Sequence, residues 1–462
     1  MNDKHSVGQE PILDARTLGV PKMLILGLQH LFAMFGATVL VPLLVQNYGL
    51  PLSIQTTLFF AGVGTLFFHL CSKMRVPAFL GSSFAFLGGF AAMGAMDSGM
   101  YAAMEPSVKL QYACGGILVA GLLYIVLAAI IKAVGVYRVM HFLPPVVTGP
   151  IIILIGLNLA PTAVSNASSC WWLALISIAV IIIANIWGKG MIKIVPILLG
   201  VVVPYVVALI GNIMGMSLID FSGLDIVGLF GGETPLLGFQ PFVTDLGGSI
   251  AKFDISAILV MAPIAIAAMM EHIGDMSAIS ATVGENFIEN PGLHRTLIGD
   301  GIATSLSAMF GGPANTTYGE NTGVLVLSKV YDPKVVRLAA VYAIILSFSP
   351  AFAYIVNTIP AAIIGGVSFI LYGMISAIGV RNVVENRVDF TNSRNLIIAA
   401  VIMVCGLGFT DGLTFQLLGA SVTLTSLAIA AVAGIVLNAI LPGNDYKVGQ
   451  SAADDVANLG RY

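Results

Sequence analysis

The chain has 462 residues, of which 58% are hydrophobic and only 9% are charged. About a quarter of the residues of a soluble protein are charged, so this composition excludes a water-soluble globular fold and indicates an integral membrane protein. The formal net charge of -3 excludes the basic surplus that binding to phosphate backbones requires, and we expect no nucleic-acid partner.

Apolar runs follow one another along the chain, and about 20 apolar residues are enough to span a bilayer as a helix. Full spans are predicted at residues 22–46, 52–72, 109–135, 141–160, 169–188, 193–215, 253–283, 294–311, 333–357, 360–380, 393–409 and 414–441. Two further segments, 77–96 and 311–330, begin with Pro, Gly and small polar residues. Each of these broken segments is predicted to combine a short extended stretch with a half-helix.

The positions of lysine and arginine decide the predicted number of crossings. If both broken segments cross and the N-terminus is cytoplasmic, eighteen of the 20 basic residues lie inside, and only Lys109 and Lys252 lie outside. If the broken segments are instead counted as loops, the basic residues are distributed over both sides of the membrane. We therefore predict fourteen crossings, cytoplasmic tails at 1–21 and 442–462, and a long extracellular loop at 216–252.

The two halves of the chain contain similar motifs at similar spacing. QHLFAMFG begins at residue 29 and GSSF at residue 81, which is 52 residues later; MEHIGD at 270–275 stands about as far ahead of YGEN at 318–321. Seven spans per half is an odd number, so the second half is predicted to lie upside down relative to the first. The expected fold is an all-α membrane protein with 14 segments in a 7+7 inverted repeat, the plan of secondary transporters.

The two broken segments predict the binding site. A half-helix that starts at mid-membrane directs unpaired N–H groups and the positive end of its dipole into a protein-enclosed cavity. The residues expected to face each other across a substrate are Ser82, Ser83 and Phe84 in one segment and Tyr318, Gly319 and Glu320 in the other. The alternative interpretation is that both segments are re-entrant loops that only pack.

Ionisable side chains inside predicted spans form a second set of candidates, because such groups are costly in a membrane. Glu271 and Asp275 are four residues apart and so share one helix face. Two carboxylates held this close out of water do not both ionise at low cost, so one is expected to hold a proton in at least one state. The alternatives are that Asp275 is a water-exposed helix-end acid and that His30 is an ordinary core histidine, while His272 is expected to face another helix.

A family resemblance rests on six motifs: QHLFAMFGATVLVPLL, PAFLGSSFAF, MEHIGD, NPGLHR, NTTYGENTGV and GGVSFILYGMI. In this order and spacing, from about residue 20 to 440, they resemble the nucleobase/ascorbate transporter family, and within it the branch that carries uracil. The resemblance implies a core domain at 22–135 and 253–357 and a gate domain at 141–215 and 358–441. The substrate is then expected between these two domains.

The same resemblance assigns roles to individual residues. It implies substrate carboxylates at Glu271 and Glu320 and main-chain donors at Phe84 and at Gly319 or Glu320. It also implies a gate-helix tyrosine at Tyr372 and a helix-1 histidine at His30 that joins the proton-coupling set. Asp275 stands where the nearest branch has a histidine. The proton is then either shared by a carboxylate pair or held chiefly on Glu271.

The expected function is import of uracil with protons across the cell membrane, with both termini in the cytoplasm, no cofactor and no bound metal. Open alternatives are xanthine or another nucleobase as substrate and Na⁺ as the coupling ion. A channel and a membrane enzyme are more distant, since no HExxH or GxSxG motif in the required setting is present. Partners are expected to be the nucleobase and membrane lipid, with the choice between monomer and homodimer left open.

Overall fold

The computed structural model describes residues 11–97, 99–219, 250–410, 412–417 and 420–443. Within them the chain is mostly helical, and its four short strands form two small antiparallel sheets. The first seven helices are α1 (Val20–Asn47), α2 (Ile54–Cys71), α3 (Leu87–Ala95), α4 (Pro106–Val134), α5 (Val136–Phe142), α6 (Pro145–Ser168) and α7 (Trp171–Ile186). The next are α8 (Met191–Ile194), α9 (Pro196–Ile213), α10 (Ile255–Met261), α11 (Ile264–Val283), α12 (Leu293–Met309) and α13 (Gly319–Ser328). The last are α14 (Pro333–Ser347), α15 (Pro350–Asn357), α16 (Ala361–Glu385), α17 (Ser393–Gly408) and α18 (Ser426–Ile440).

Seven of the described helical segments are long and apolar enough to cross a membrane. They are Val20–Asn47, Ile54–Cys71, Pro106–Val134, Pro145–Ser168, Pro196–Ile213, Ile255–Val283 and Ala361–Glu385. The pair α14 and α15 would add an eighth span, bent by 85°. The structure is therefore that of a multi-pass membrane protein, and the count of fourteen crossings, which includes shorter and broken elements, stays a prediction.

The two broken segments meet in the interior. Strand β1 (Leu80–Ser82) pairs antiparallel with β2 (Asn315–Thr317), with Gly81 opposite Thr316. All six strand residues are buried. Extended backbone at this depth is tolerated only where protein encloses it and satisfies its polar groups. A Cβ atom on Gly81 would lie 2.3 Å from the Tyr318 ring, so only glycine allows this close crossing.

Each broken segment continues into a half-helix. After β1, a 3₁₀ turn at Phe84–Phe86 leads directly into α3. After β2, Tyr318 is the N-cap of α13 and Gly319 is its first residue. The predicted combination of a short extended stretch and a half-helix is therefore present in both segments.

Several helix predictions need correction. Residues 414–441 were predicted as one span, but β3 (Leu413–Leu417) and β4 (Ala420–Leu424) form an antiparallel hairpin, and only α18 follows. The aromatic and β-branched residues of this stretch, among them Phe415 and Val422, favour strands over helix. The predicted span 253–283 is matched by the apolar segment Ile255–Val283, which has only a local interruption at Pro263. Residues 333–357 form two helices that bend by 85° before Pro350, because proline cannot donate the backbone hydrogen bond of a helix interior.

The predicted tails and the long loop lie mostly outside the described residues. The described part of the N-terminal tail contacts the segment after α13: Ile12 forms a bridge with Val330, and the Ala15 amide donates to Asp332 Oδ2 at 2.8 Å. Residues 220–249 of the predicted 216–252 loop, and residues 444–462 of the C-terminal tail, are not described.

Candidate functional site

A cavity lies where the two half-helices begin. Its lining residues are Phe84, Ile152, Glu271, Asp275, Thr317, Tyr318, Gly319, Glu320, Ile375 and Ile378. Six of the predicted site residues are therefore brought together from three separate parts of the chain: Phe84, Glu271, Asp275, Tyr318, Gly319 and Glu320. Their roles stay predictions, since the structure contains no ligand.

Three carboxylates converge on this cavity. Glu271 and Asp275 share one face of α11, as their spacing predicted, and Glu320 comes from the first turn of α13. The side chain of Asp275 accepts a hydrogen bond from Thr317 Oγ1 at 2.9 Å, and the residue is only 6% exposed. This burial places Asp275 away from bulk water, unlike a water-exposed helix-end acid. The Oε2 atom of Glu271 is also buried and has no hydrogen-bond partner among the described residues.

The starts of both half-helices line the same cavity, through Phe84 and through Gly319. The first N–H groups of a helix have no partner within it and lie at the positive end of its dipole. No side-chain hydrogen bond caps the N-terminus of α13. A Cβ atom on Gly319 would lie 3.1 Å from Ile378 Cδ1 and 3.7 Å from Asp275 Oδ1. Glycine therefore lets the start of α13 approach the carboxylates and the opposite wall closely.

The hydroxyl group of Tyr318 points away from the cavity and joins the two broken segments. It donates to the Ser82 carbonyl at 2.9 Å and lies 3.2 Å from Ser82 Oγ. Ser82 Oγ in turn donates to the carbonyl of Thr38 on α1 at 3.0 Å. Ser82 was predicted to face the substrate, but its side chain is engaged in this network and does not line the cavity.

Three predicted site residues also lie outside the lining. Ser83 is buried and its amide donates to the Ala314 carbonyl at 2.8 Å. Tyr372 packs edge-on against the ring of Phe84, with centroids 5.9 Å apart. His30 lies beside Asn321, whose Nδ2 donates to the His30 carbonyl at 3.1 Å and is 3.2 Å from His30 Nδ1. Tyr372 therefore contacts a lining residue, Phe84, and His30 contacts Asn321, the residue that follows Glu320.

The sequence reasoning missed several lining residues. Thr317 holds Asp275 in place, and Ile152, Ile375 and Ile378 form the apolar side of the cavity. Isoleucine occurs in every predicted span, so no pattern distinguished these three. Thr317 belongs to the second broken segment, and this position was the signal by which it could have been identified as a lining residue.

Asp300 was missed as well. Its Oδ2 lies 3.1 Å from Nδ1 of His272, whose Nε2 is 3.0 Å from Thr296 Oγ1, and all three residues are fully buried. A single acidic residue within the predicted span 294–311 was a sufficient signal for a buried polar site. The expectation that His272 faces another helix is confirmed, because Thr296 and Asp300 both lie on α12.

Comparisons with known proteins agree with this architecture. The model of the Permease family matches residues 21–414. A uracil permease of Bacillus caldolyticus is 41% identical over 94% of this chain and 95% of its own length. A uracil permease of Bacillus subtilis is 38% identical over 90% of this chain and 91% of its own length. A putative pyrimidine permease, RutG, of Escherichia coli is 37% identical over 90% of this chain and 89% of its own length.

Solved structures share the fold at low sequence identity. The transmembrane domain of a cyanobacterial bicarbonate transporter, BicA, superposes with a TM-score of 0.58 at 14% identity, covering 93% of this chain and 99% of that domain. Murine Slc26a9, an anion transporter in an inward-facing state, gives a TM-score of 0.60 at 12% identity, covering 93% of this chain and 70% of its own. The fold is thus one that membrane transporters adopt. With the family match and the extent of identity to curated permeases, this chain belongs to the permease family, the nucleobase/ascorbate transporter family indicated by its motifs, and is a transporter, not an enzyme.

Proposed function

We propose that this protein imports uracil across the cell membrane by proton symport. One observation carries the proposal: three carboxylates and the starts of two half-helices converge on a single cavity beside the ring of Phe84. Curated relatives that align along nearly the whole chain are uracil permeases, which supports the same substrate here.

The chemistry of uracil matches the groups around the cavity. Its planar ring carries two N–H donors and two carbonyl acceptors and has little apolar surface. Carboxylates of Glu271 and Glu320 accept from ring N–H groups, and main-chain N–H groups at Phe84 and Gly319 donate to the carbonyls. The aromatic ring of Phe84 lies against the face of the base. Buried polar groups of this kind reject a ring that leaves them unpaired.

Proton coupling is assigned to Glu271 and Asp275. Both face one buried cavity, and a third carboxylate, Glu320, lies in the same lining. Like charges at this proximity out of water favour retention of a proton by one member of the set. Arrival of the substrate N–H groups then changes which carboxylate is neutral, which links substrate binding to proton binding.

Movement is assigned to a core domain, at 22–135 and 253–357, that shifts against a gate domain, at 141–215 and 358–441. Fourteen crossings in a 7+7 inverted repeat, with both termini cytoplasmic, provide alternating access. The cavity supports this division, because its carboxylates come from α11 and α13, whereas Ile152, Ile375 and Ile378 come from α6 and α16. Substrate therefore contacts both proposed domains.

Uptake of labelled uracil into proteoliposomes tests the proposal. We expect an inward proton gradient to drive accumulation, a sodium gradient alone to have no effect, and unlabelled uracil inside the vesicles to accelerate entry of label by counterflow. Empty liposomes provide the background. Accumulation driven by sodium alone would refute proton coupling, and uptake of labelled xanthine without uptake of uracil would refute the proposed substrate. Uptake without counterflow would indicate a channel.

A further inference from the structure

The two sides of the cavity differ sharply in chemistry. The polar lining side chains belong to α11, to the second broken segment or to its half-helix: Glu271, Asp275, Thr317 and Glu320, beside which lies the ring of Tyr318. The lining residues contributed by α6 and α16 are all isoleucines: Ile152, Ile375 and Ile378. We call these three residues the isoleucine wall.

The isoleucine wall lies directly against the backbone that carries the polar groups. Ile378 Cδ1 is 3.1 Å from the position a Cβ atom would take on Gly319. Ile152 Cδ1 is 3.0 Å from the corresponding position on Gly274, which lies between Glu271 and Asp275 on α11. A β-branched side chain has one strongly preferred χ1 rotamer in a helix, so the branched part of each wall residue has little freedom to move aside.

The geometry points to a role for the wall in selecting the substituent at position 5 of a pyrimidine ring. We propose that the isoleucine wall receives the edge formed by ring positions 5 and 6 and limits the size of a 5-substituent. This inference rests on the proposed function, since it concerns the orientation of uracil in the same cavity.

The orientation follows from the distribution of polar atoms around uracil. Ring positions 1 to 4 carry the two N–H groups and the two carbonyls, whereas positions 5 and 6 carry only C–H. Turning a polar edge toward the isoleucines would leave donors or acceptors unpaired, at a cost of about 1–3 kcal/mol for each group. The orientation that pairs the polar groups therefore directs the 5,6 edge to the wall.

The packing of the wall then sets the size limit. Adding a methyl group to a well-packed apolar contact forces side chains off their preferred rotamers. A single methylene in such a pocket changes selectivity by about 10-fold or more. Ile378 is the wall residue that packs over Gly319, at the start of the half-helix, so its truncation is expected to relieve the limit most.

The test measures binding to the purified full-length protein by competition against labelled uracil. The competitors are uracil, 5-fluorouracil, thymine and 5-bromouracil, which increase in size at one ring position. For the wild type, we expect affinity to fall along this series. In Ile378→Ala, the ratio of the 5-bromouracil dissociation constant to that of uracil should fall by about tenfold. Ile378→Val, which removes one methylene, should shift the ratio in the same direction by less.

Ile370→Ala is the matched control, because Ile370 lies on the same helix, is half-buried and does not line the cavity. Its ratio should equal that of the wild type. Unchanged ratios in Ile378→Ala, Ile378→Val and Ile152→Ala, with uracil binding retained, would refute the proposed role of the isoleucine wall. The proposed function would not be affected by that result. Absence of uracil binding to the wild type would instead overturn the proposed function.

Discussion

The two broken segments share a backbone plan and differ in chemistry. The amide of Leu80, at the start of β1, donates to Thr65 Oγ1 on α2 at 2.9 Å, and that hydroxyl lies 3.3 Å from the Leu80 carbonyl. At the start of β2, the amide of Asn315 donates to Thr304 Oγ1 on α12 at 3.1 Å, and the hydroxyl donates back to the Asn315 carbonyl at 2.9 Å. A threonine on the preceding helix thus accepts a hydrogen bond from the first amide of each strand, although the Thr65 hydroxyl itself donates to the Ala61 carbonyl at 2.7 Å.

The half-helices that follow are chemically unlike. The first begins with Phe84–Phe86 and has no ionisable residue before its end at Ala95, whereas the second begins with Gly319 and Glu320. The first half-helix therefore presents an aromatic ring to the cavity and the second a carboxylate, while Tyr318, the N-cap residue of the second, also lines the cavity. The shared backbone plan places the start of each half-helix at the cavity, and the proposed division of recognition between the face and the edge of a ring follows from the different side chains at these two starts.

The largest effect on uracil binding is expected when the charge of the second broken segment is removed. We expect Glu320→Gln to weaken uracil binding by about 100-fold, because an amide places a donor where the ring N–H needs an acceptor. Thermal-shift titration of the purified variant with uracil and with xanthine measures both affinity and selectivity. Glu285→Gln, at an exposed site outside the cavity lining, is the control. Undiminished uracil binding by Glu320→Gln would remove Glu320 from the site.

A second substitution separates recognition from coupling. Asp275→Asn keeps an oxygen for the Thr317 hydroxyl but removes one titratable group from the pair with Glu271. We expect uracil binding to change little, whereas accumulation driven by a proton gradient should fall by about tenfold. Both are measured on the same proteoliposome preparation, with Asp97→Asn, an exposed acid, as the control. If Asp275→Asn concentrates uracil like the wild type, the shared proton is excluded and Glu271 alone remains on that helix.

The part of the site that sequence reasoning predicted is the part made of unusual residues. Carboxylates in apolar spans and Gly-rich interruptions are costly in a membrane, so Glu271, Glu320 and Gly319 were conspicuous. Ile378 was not conspicuous, because only its packing over Gly319 of α13 distinguishes it from the other isoleucines of α16. Asp300 was conspicuous and overlooked.

The fold was predictable to a similar degree. The extended stretches and half-helices were expected from their Gly, Pro and small polar residues, and the structure has both. The hairpin of β3 and β4 was mistaken for helix because mean hydropathy does not distinguish an apolar strand from an apolar helix. The 85° bend before Pro350 had a visible signal in the proline, but its angle depends on packing with neighbouring helices.

Substitution of Phe84 tests how much the first broken segment contributes to uracil binding. We expect Phe84→Leu to weaken uracil binding by about fivefold, because the loss of an aromatic contact costs about 1 kcal/mol beyond the buried area. This loss should be smaller than that of Glu320→Gln, since no buried polar group is left unpaired. Phe369→Leu, on the exposed side of α16, is the control in the same binding assay. An effect equal to that of Glu320→Gln would show that face and edge are not recognised separately.

The smallest expected effect concerns the link between the segments. Tyr318→Phe removes the hydroxyl that donates to the Ser82 carbonyl and should lower the free energy of unfolding by about 1 kcal/mol. In detergent, this should appear as a decrease in Tm of about 2 °C relative to Tyr354→Phe, whose ring is largely exposed. Uracil affinity should stay close to that of the wild type, because the hydroxyl points away from the cavity. A large loss of affinity with unchanged Tm would instead place the hydroxyl in substrate recognition and make the two half-helix starts more alike than their sequences indicate.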